Sequence, residues 1–120
     1  MPIQNDALKD RLSRYREINI SVIGRKSGRA ISIPVWFVLE EDKLHLLPVK
    51  GSDTQWYKNV LNKPMIRIDA RGAEAEVKAL PITDAKQVSS VVEKFRDKYG
   101  PNDVKKYYAK FDVAVLAHIR

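Results

Sequence analysis

Apolar and polar positions alternate along much of this chain in short runs, and turn residues or helical stripes separate them. Ile18, Ile20 and Val22 alternate with Asn19 and Ser21, the period of a half-buried strand leading into Gly24. From Ile31 to Leu39 the odd positions Ile31, Ile33, Val35, Phe37 and Leu39 form one apolar face, and Ser32, Pro34, Trp36 and Val38 occupy the other. Glu40-Glu41-Asp42 predicts an acidic turn into a partner strand in which Leu44 and Leu46 alternate with Lys43 and His45, ended by Pro48. Ile66, Ile68 and Ala70 predict a further strand, Arg71-Gly72 its turn, and Ala75, Val77 and Ala79 its return beside Glu74, Glu76 and Lys78. Val113 to Ile119 reads as a closing strand.

Four stretches carry a helical stripe instead. Leu8, Leu12 and Tyr15 follow a cap at Asn5 or Asp6 and predict a helix packed over the edge of the domain. Thr54 to Leu61 predicts a helix capped by Ser52 or Asp53, with Trp56, Tyr57, Val60 and Leu61 apolar, stopped by Asn62-Lys63-Pro64. Asp84 and Gln87 form a capping pair ahead of Val88, Val91, Val92, Phe95 and Tyr99, a stripe that Gly100-Pro101 terminates. Asn102 restarts a shorter helix through Tyr107, Tyr108 and Phe111. Successive hairpins with flanking helices and a closing strand predict an antiparallel α+β fold, a single domain over residues 1–120 built on a small barrel or strongly curled sheet.

A chain of 120 residues buries enough surface for a core without covalent staples. The absence of cysteine excludes disulfides, a thiolate nucleophile and cysteine-based zinc sites, and His45 and His118 have no metal-ligand spacing, so no metal is expected. Both histidines read as surface or interface residues. No apolar run is long enough to span a bilayer and the first fifteen residues are polar, which leads to the expectation of a cytoplasmic protein with no integral membrane segment. The formal charge of +7 favours anionic partners: nucleic acid, an acidic membrane or a phosphorylated small molecule. The charges are spread along the chain rather than gathered in one tail, which favours a local anion site.

The densest local signal is Gly24-Arg25-Lys26-Ser27-Gly28-Arg29, with two glycines and three cations between two strongly β-patterned runs. Glycine permits the positive-φ geometry that turns backbone N–H groups inward, and a phosphate needs that concavity with cations beside it. A plain basic hairpin turn uses the same residues, with Ser27-Gly28 making the bend. Lys50-Gly51-Ser52-Asp53 is a second loop of similar composition. No G-x-G-x-x-G follows a strand and no Walker loop is present, which excludes the two commonest nucleotide folds.

Taken together, Gly24-Arg25-Lys26-Ser27-Gly28, Pro34, Lys50-Gly51 and Trp56-Tyr57-x-Asn59-Val60 resemble the deazaflavin-dependent nitroreductase family over Val22 to about Pro64, roughly half the chain. The resemblance implies the split β-barrel shared with FMN-binding, pyridoxamine-phosphate-oxidase-like proteins. It implies coenzyme F420, an 8-hydroxy-5-deazaflavin, as cofactor, and hydride transfer to a small quinone, enone or nitroaromatic acceptor. Arg25, Lys26, Ser27 and Gly28 would hold its phosphate, Lys50 would add charge near its tail, and Asn59 would face it. Pro34 belongs to the same motif; Trp36 suits either the lining of the ring pocket, which is preferred, or a subunit interface, and Trp56 is either a core anchor or a stacking surface. Tyr107 and Tyr108 are candidate proton donors. The chain departs from the family pattern at Ile31, where many relatives carry arginine, and at Val49, where a small polar residue is frequent.

Two other readings stay open on the sequence. One is an FMN-binding split-barrel protein, since FMN also presents a phosphate and a tricyclic ring. The other is a basic nucleic-acid-binding module using Arg25, Lys26 and Arg29 with Tyr107 and Tyr108 as stacking platforms. The preferred reading takes a small-molecule acceptor and no nucleic acid. The two-sided apolar strand Ile31 to Leu39 needs cover on both faces and leads to the expectation of a homodimer.

Overall fold

Alternation of branched and polar residues yields six antiparallel strands that close into a barrel in a computed structural model describing residues 2–119, with side chains from Leu8 onward. They are β1 (Glu17–Ile23), β2 (Ala30–Glu40), β3 (Lys43–Leu46), β4 (Met65–Ala70), β5 (Ala73–Ile82) and β6 (Ala114–His118), arranged around the barrel as β1-β2-β3-β6-β5-β4. The four helices are α1 (Pro2–Arg14), α2 (Gln55–Asn62), α3 (Ala85–Tyr99) and α4 (Pro101–Tyr107). The α+β split β-barrel expected from the sequence is the fold observed.

The long strand β2 makes the barrel split. Its first half pairs with β1, Ala30 through Trp36 opposite Ile23 through Glu17, and its second half pairs with β3 from Phe37 to Glu40. The chain therefore leaves one sheet for the other between Trp36 and Phe37. Pro34 is tolerated in the first half because that stretch pairs with β1 alone, and the missing N–H breaks no second ladder. Pro81 follows the same rule inside β5, beyond the last β4 pair at Met65 and Lys78.

Two cores result. Ile18, Ile20, Val22, Phe37, Leu44, Leu46, Ile66 and Ile68 fill the barrel, joined by Leu8 and Leu12 of α1 and by Trp56, Tyr57 and Val60 of α2. Helix α1 therefore inserts its apolar stripe into the barrel core instead of packing over an edge, and Lys9 ties it to Asp42 at 2.7 Å. Its backbone is helical from Pro2, upstream of the capping positions expected at Asn5 or Asp6, whose side chains lie outside the described residues. The second core lies on the outer face of the β2–β3–β6 half. There α3 and α4 bury Val88, Val91, Val92, Phe95, Tyr99 and Val104 against Val38 and Ile82.

Local chemistry explains the element ends. Asp84 caps α3 by accepting the Gln87 N–H at 3.0 Å, as expected. Arg71 and Gly72, both at positive φ, make the tight β4–β5 turn. Three expectations are corrected. The N-cap of α2 is Thr54 rather than Ser52 or Asp53, because Ser52 and Asp53 first complete a short 3-10 turn from Gly51. Helix α4 begins at Pro101, where a ring-fixed φ suits the first helical position, instead of at Asn102, and ends at Tyr107, so that Tyr108 and Phe111 lie beyond it. His45 does point away from Leu44 and Leu46, but that face is covered, so the residue is only 8 % exposed instead of lying on the surface. His118 is exposed.

Candidate functional site

A cavity of about 510 Å³ opens in the split of the barrel. One wall is the singly paired half of β2, from Ile33 through Trp36, and facing it are Leu47 and Val49 on the chain leaving β3. Thr54 and Trp56 at the start of α2, Tyr107 and Tyr108 at the end of α4, and Glu17 at the start of β1 complete the lining. Five residues singled out in the sequence, Pro34, Trp36, Trp56, Tyr107 and Tyr108, are thus brought together although up to 74 positions separate them.

Trp36 is the organising side chain. It stacks on Tyr99 with centroids 4.2 Å apart and planes within 8°, while Tyr107 stands at 75° to it, 5.4 Å away, and Tyr108 lies 6.0 Å away. Tyr99 fixes the backbone at the point where β2 changes sheets. Its hydroxyl accepts the Phe37 N–H at 3.1 Å and has its own proton to give to the carbonyl of Phe37 at 2.8 Å or of Arg16 at 2.6 Å. Lys98 also donates to the Phe37 carbonyl at 2.7 Å. Burial pushes the Tyr99 phenol up to about 12, and burial together with Arg16 brings the Lys98 ammonium down to about 8. Burial likewise pushes the Tyr108 phenol up, so at neutral pH it offers a proton for hydrogen bonding and no negative charge. Tyr108 is buried and Tyr107 is half exposed, the inward and outward members of an adjacent pair.

The Gly24–Arg29 loop is a closed turn. Gly24 donates to the Arg29 carbonyl at 2.8 Å and accepts the Gly28 N–H at 2.9 Å, with Gly28 at φ 73°. The Ser27 hydroxyl accepts the Arg29 N–H at 3.2 Å. Arg25 spans from this loop to α2. Its guanidinium donates to the Asn59 side-chain oxygen and the Gln55 side-chain oxygen, each at 2.8 Å, and its backbone N–H donates to the same Asn59 oxygen at 3.1 Å. Arg25 and Asn59 are therefore each other's partners, and the N–H groups of Lys26 and Ser27 remain without an acceptor in the turn. None of the loop's side chains lines the cavity; α2 connects the two, holding Arg25 through Gln55 and Asn59 while Thr54 and Trp56 face the cavity.

The second loop is held by its own chain. Asp112 accepts from the Ser52 N–H at 2.9 Å and from the Ser52 hydroxyl at 2.5 Å, and Lys110 reaches Asp53 at 3.2 Å. Those contacts hold the Asp112 carboxyl below its ordinary value. Lys50 is exposed and its N–H is fixed by the Thr54 hydroxyl at 2.7 Å, beside the cavity-lining Val49. Among the described residues no cluster of three or more His, Cys, Asp or Glu side chains could hold a metal.

Glu17, Leu47 and Thr54 were not singled out in the sequence. The one available signal was for Glu17, a lone carboxylate at the entry to a strand, and only the register that sets it opposite Trp36 gives it a place.

The family model described as an uncharacterised protein conserved in bacteria, DUF2255, matches residues 9–114. The chain belongs to the DUF2255 family. A comparison with curated proteins finds no match. Among solved structures, this DUF2255 protein is similar to an F420-H2-dependent reductase, FDR-A, at 18% identity and a TM-score of 0.68, covering 86% of this chain and 94% of that one. It is similar to a candidate pyridoxamine 5′-phosphate oxidase from Listeria innocua at 10% identity and a TM-score of 0.69, covering 94% and 90%. A third, described as a domain-swapped dimer, shares 16% identity at a TM-score of 0.69, over 94% of this chain and 98% of that one. These likenesses establish the split-barrel fold of the DUF2255 protein. No helix among its described residues is long and apolar enough to cross a membrane.

Proposed function

We propose that this DUF2255 protein is an oxidoreductase that binds a flavin-type coenzyme, a phosphate-bearing deazaflavin in the first instance and FMN as the alternative, and passes hydride to a small quinone, enone or nitro acceptor. The observation that carries the reading is the mostly apolar cavity of about 510 Å³, walled by Trp36, Trp56, Tyr107 and Tyr108 in the split of the barrel. Its size lies within the range of small-molecule sites, and its aromatic walls suit a flat ring. An F420-H2-dependent reductase among the structural neighbours supports the same class.

The coenzyme would supply the hydride chemistry; the protein binds, orients and excludes water. The geometry refines the division of labour expected from the sequence. Lys26, Ser27 and Gly28 present the cation, the hydroxyl and the turn available to a phosphate, while Arg25 and Asn59 hold the loop against α2. From Ala30 to Ile33 the start of β2 spans about 10 Å, a reach suited to a sugar-alcohol chain joining a phosphate to a ring. Pro34 keeps the β2 edge free of a second partner beside the cavity, and Lys50 adds positive charge near its mouth. Tyr107 and Tyr108 can donate hydrogen bonds to a reduced acceptor. A homodimer is part of the proposal: Ile31 and Val49 are each 41% exposed and Tyr107 51%, and a structural neighbour is a domain-swapped dimer.

Titration of the purified protein with deazaflavin coenzyme and with FMN, followed by ligand fluorescence, tests the reading. Saturable binding of at least one, weakened about tenfold or more in Lys26→Ala, is the expected result. Binding of short oligonucleotides at physiological salt with neither coenzyme bound would favour the nucleic-acid reading instead.

A further inference from the structure

The cavity has one charged side chain in its lining, Glu17, and the register of β1 with β2 sets it directly opposite Trp36. Cross-strand neighbours of this kind sit with their side chains on the same face and within contact reach. Among the described residues Glu17 makes no ion pair, although the chain carries a formal charge of +7. The nearby cations are otherwise engaged: Arg16 lies over the Tyr99 ring at 4.9 Å, Arg71, which shares a second, smaller cavity with Glu17, lies over the Tyr15 ring at 4.6 Å, Lys98 holds the Phe37 carbonyl, and none of the three lines the aromatic cavity.

Tyr99 stacks on one face of Trp36, and the rings that line the cavity meet it at an angle. Trp36 and Tyr107 stand at 75° with centroids 5.4 Å apart, forming two walls of a corner, and Tyr108 and Trp56 continue the lining. Aromatic faces carry negative quadrupole density, so several ring walls with one uncommitted carboxylate favour an organic cation over a neutral or anionic molecule of the same shape. Lys106 already lies 5.4 Å from the Tyr107 ring centroid, a cation drawn to the same ring from within the chain.

We propose that the cavity selects a cationic aromatic ligand, such as an N-alkylated heteroaromatic ring, with Glu17 and Tyr107 as the residues that set this charge preference. This rests on the function proposed above and adds a cationic ring to the acceptors named there for the same cavity. The phosphate of a coenzyme belongs at the Lys26–Ser27 turn, away from Glu17, and so does not compete for it.

Both tryptophans of the chain, Trp36 and Trp56, line the cavity, so intrinsic fluorescence reports its occupancy directly. Three probes of one ring size separate charge from shape: N-methylquinolinium, 2-methylquinoline at pH 8 where it is neutral, and quinoline-2-carboxylate. The expected result is quenching by the cation with an affinity about tenfold or more above the neutral ring, and weakest binding by the anion. Glu17→Gln, at an exposed strand end, should weaken the cation by about threefold or more and leave the neutral probe unchanged, and Tyr107→Leu should also weaken the cation more than the neutral ring. Equal affinity for cation and neutral ring, no quenching by any probe, or a cation affinity indifferent to Glu17→Gln would each overturn the proposal. Coenzyme titration in parallel keeps the two readings apart. Coenzyme binding without cation selectivity removes only this inference, and cation selectivity without coenzyme binding removes only the redox reading.

Discussion

Arg25 is the residue for which sequence and geometry suggest different duties, and a double-mutant cycle with Asn59 separates them. The Asn59 side chain is buried, 5% exposed, and its oxygen accepts from both the guanidinium and the backbone N–H of Arg25. Arg25→Ala removes the guanidinium bonds to Asn59 and Gln55 but keeps the backbone bond, so Asn59 is not orphaned. For a partly exposed arginine we expect a loss of about 1–2 kcal/mol. Asn59→Ala removes the acceptor of a backbone N–H at the foot of the loop and leaves a small void under α2, for about 2 kcal/mol. Because the two residues share the guanidinium bond, the double variant should lose less than the sum, with a coupling of about 1 kcal/mol. Urea denaturation of the four proteins measures it, with unchanged denaturant slopes confirming a common unfolding transition. Additivity within about 0.3 kcal/mol would refute the clamp and return Arg25 to the pool of phosphate donors.

Three further outcomes follow from particular contacts. Tyr99→Phe should cost about 1–3 kcal/mol by thermal or urea unfolding, because it leaves the buried Phe37 N–H unpaired where β2 changes sheets; unchanged stability would contradict that role. Gly51→Ala should destabilise by about 1–3 kcal/mol and more than Gly72→Ala: both glycines have positive φ, but a Cβ at Gly51 would land on the Asp112 carboxylate, whereas one at Gly72 meets nothing within 4 Å. Equal losses would show that the Asp112 contact is not rigid. Burial, partly offset by Glu40, holds His45 below its ordinary value of 6.5, so the unfolded chain binds a proton that the folded chain resists, and stability falls as pH drops below about 7. His45→Met should lessen the stability difference between pH 8 and pH 5; an undiminished difference would assign that acid sensitivity to other groups.

Much of the architecture was legible because each strand is short, alternating and bounded by a turn residue, and the barrel follows from hairpins that must bury one face. The stripes of α2 and α3 were equally plain. Side-chain competition was not. Arg25 and Lys26 are equivalent cations in a glycine loop until Asn59, 34 positions away, proves to be within reach of only one of them. Ser52 has the chemistry of an N-cap, but its hydroxyl is engaged by Asp112, which arrives from 60 positions downstream. His45 sits on the polar phase of its strand, and only the tertiary fold, which brings Lys94 of α3 and Glu40 beside it, buries that phase. The cavity itself was half visible. Pro34, Trp36 and Trp56 stand out by residue type, while Glu17, Leu47 and Thr54 are ordinary residues made important by the register of β1 and by the path of the chain after β3.

In the proposed complex the aromatic cavity takes a ring while the Lys26–Ser27 turn takes the phosphate attached to it. Comparing each coenzyme with its dephosphorylated form, FMN against riboflavin and the deazaflavin phosphate against the ribityl deazaflavin, tests both halves in one calorimetric series with tryptophan quenching as a second readout. The expected result is quenching by both members of the favoured pair, an advantage of about tenfold or more for the phosphorylated member, and loss of that advantage in Lys26→Ala. Equal affinity within each pair, or binding that leaves the fluorescence of Trp36 and Trp56 untouched, would contradict it.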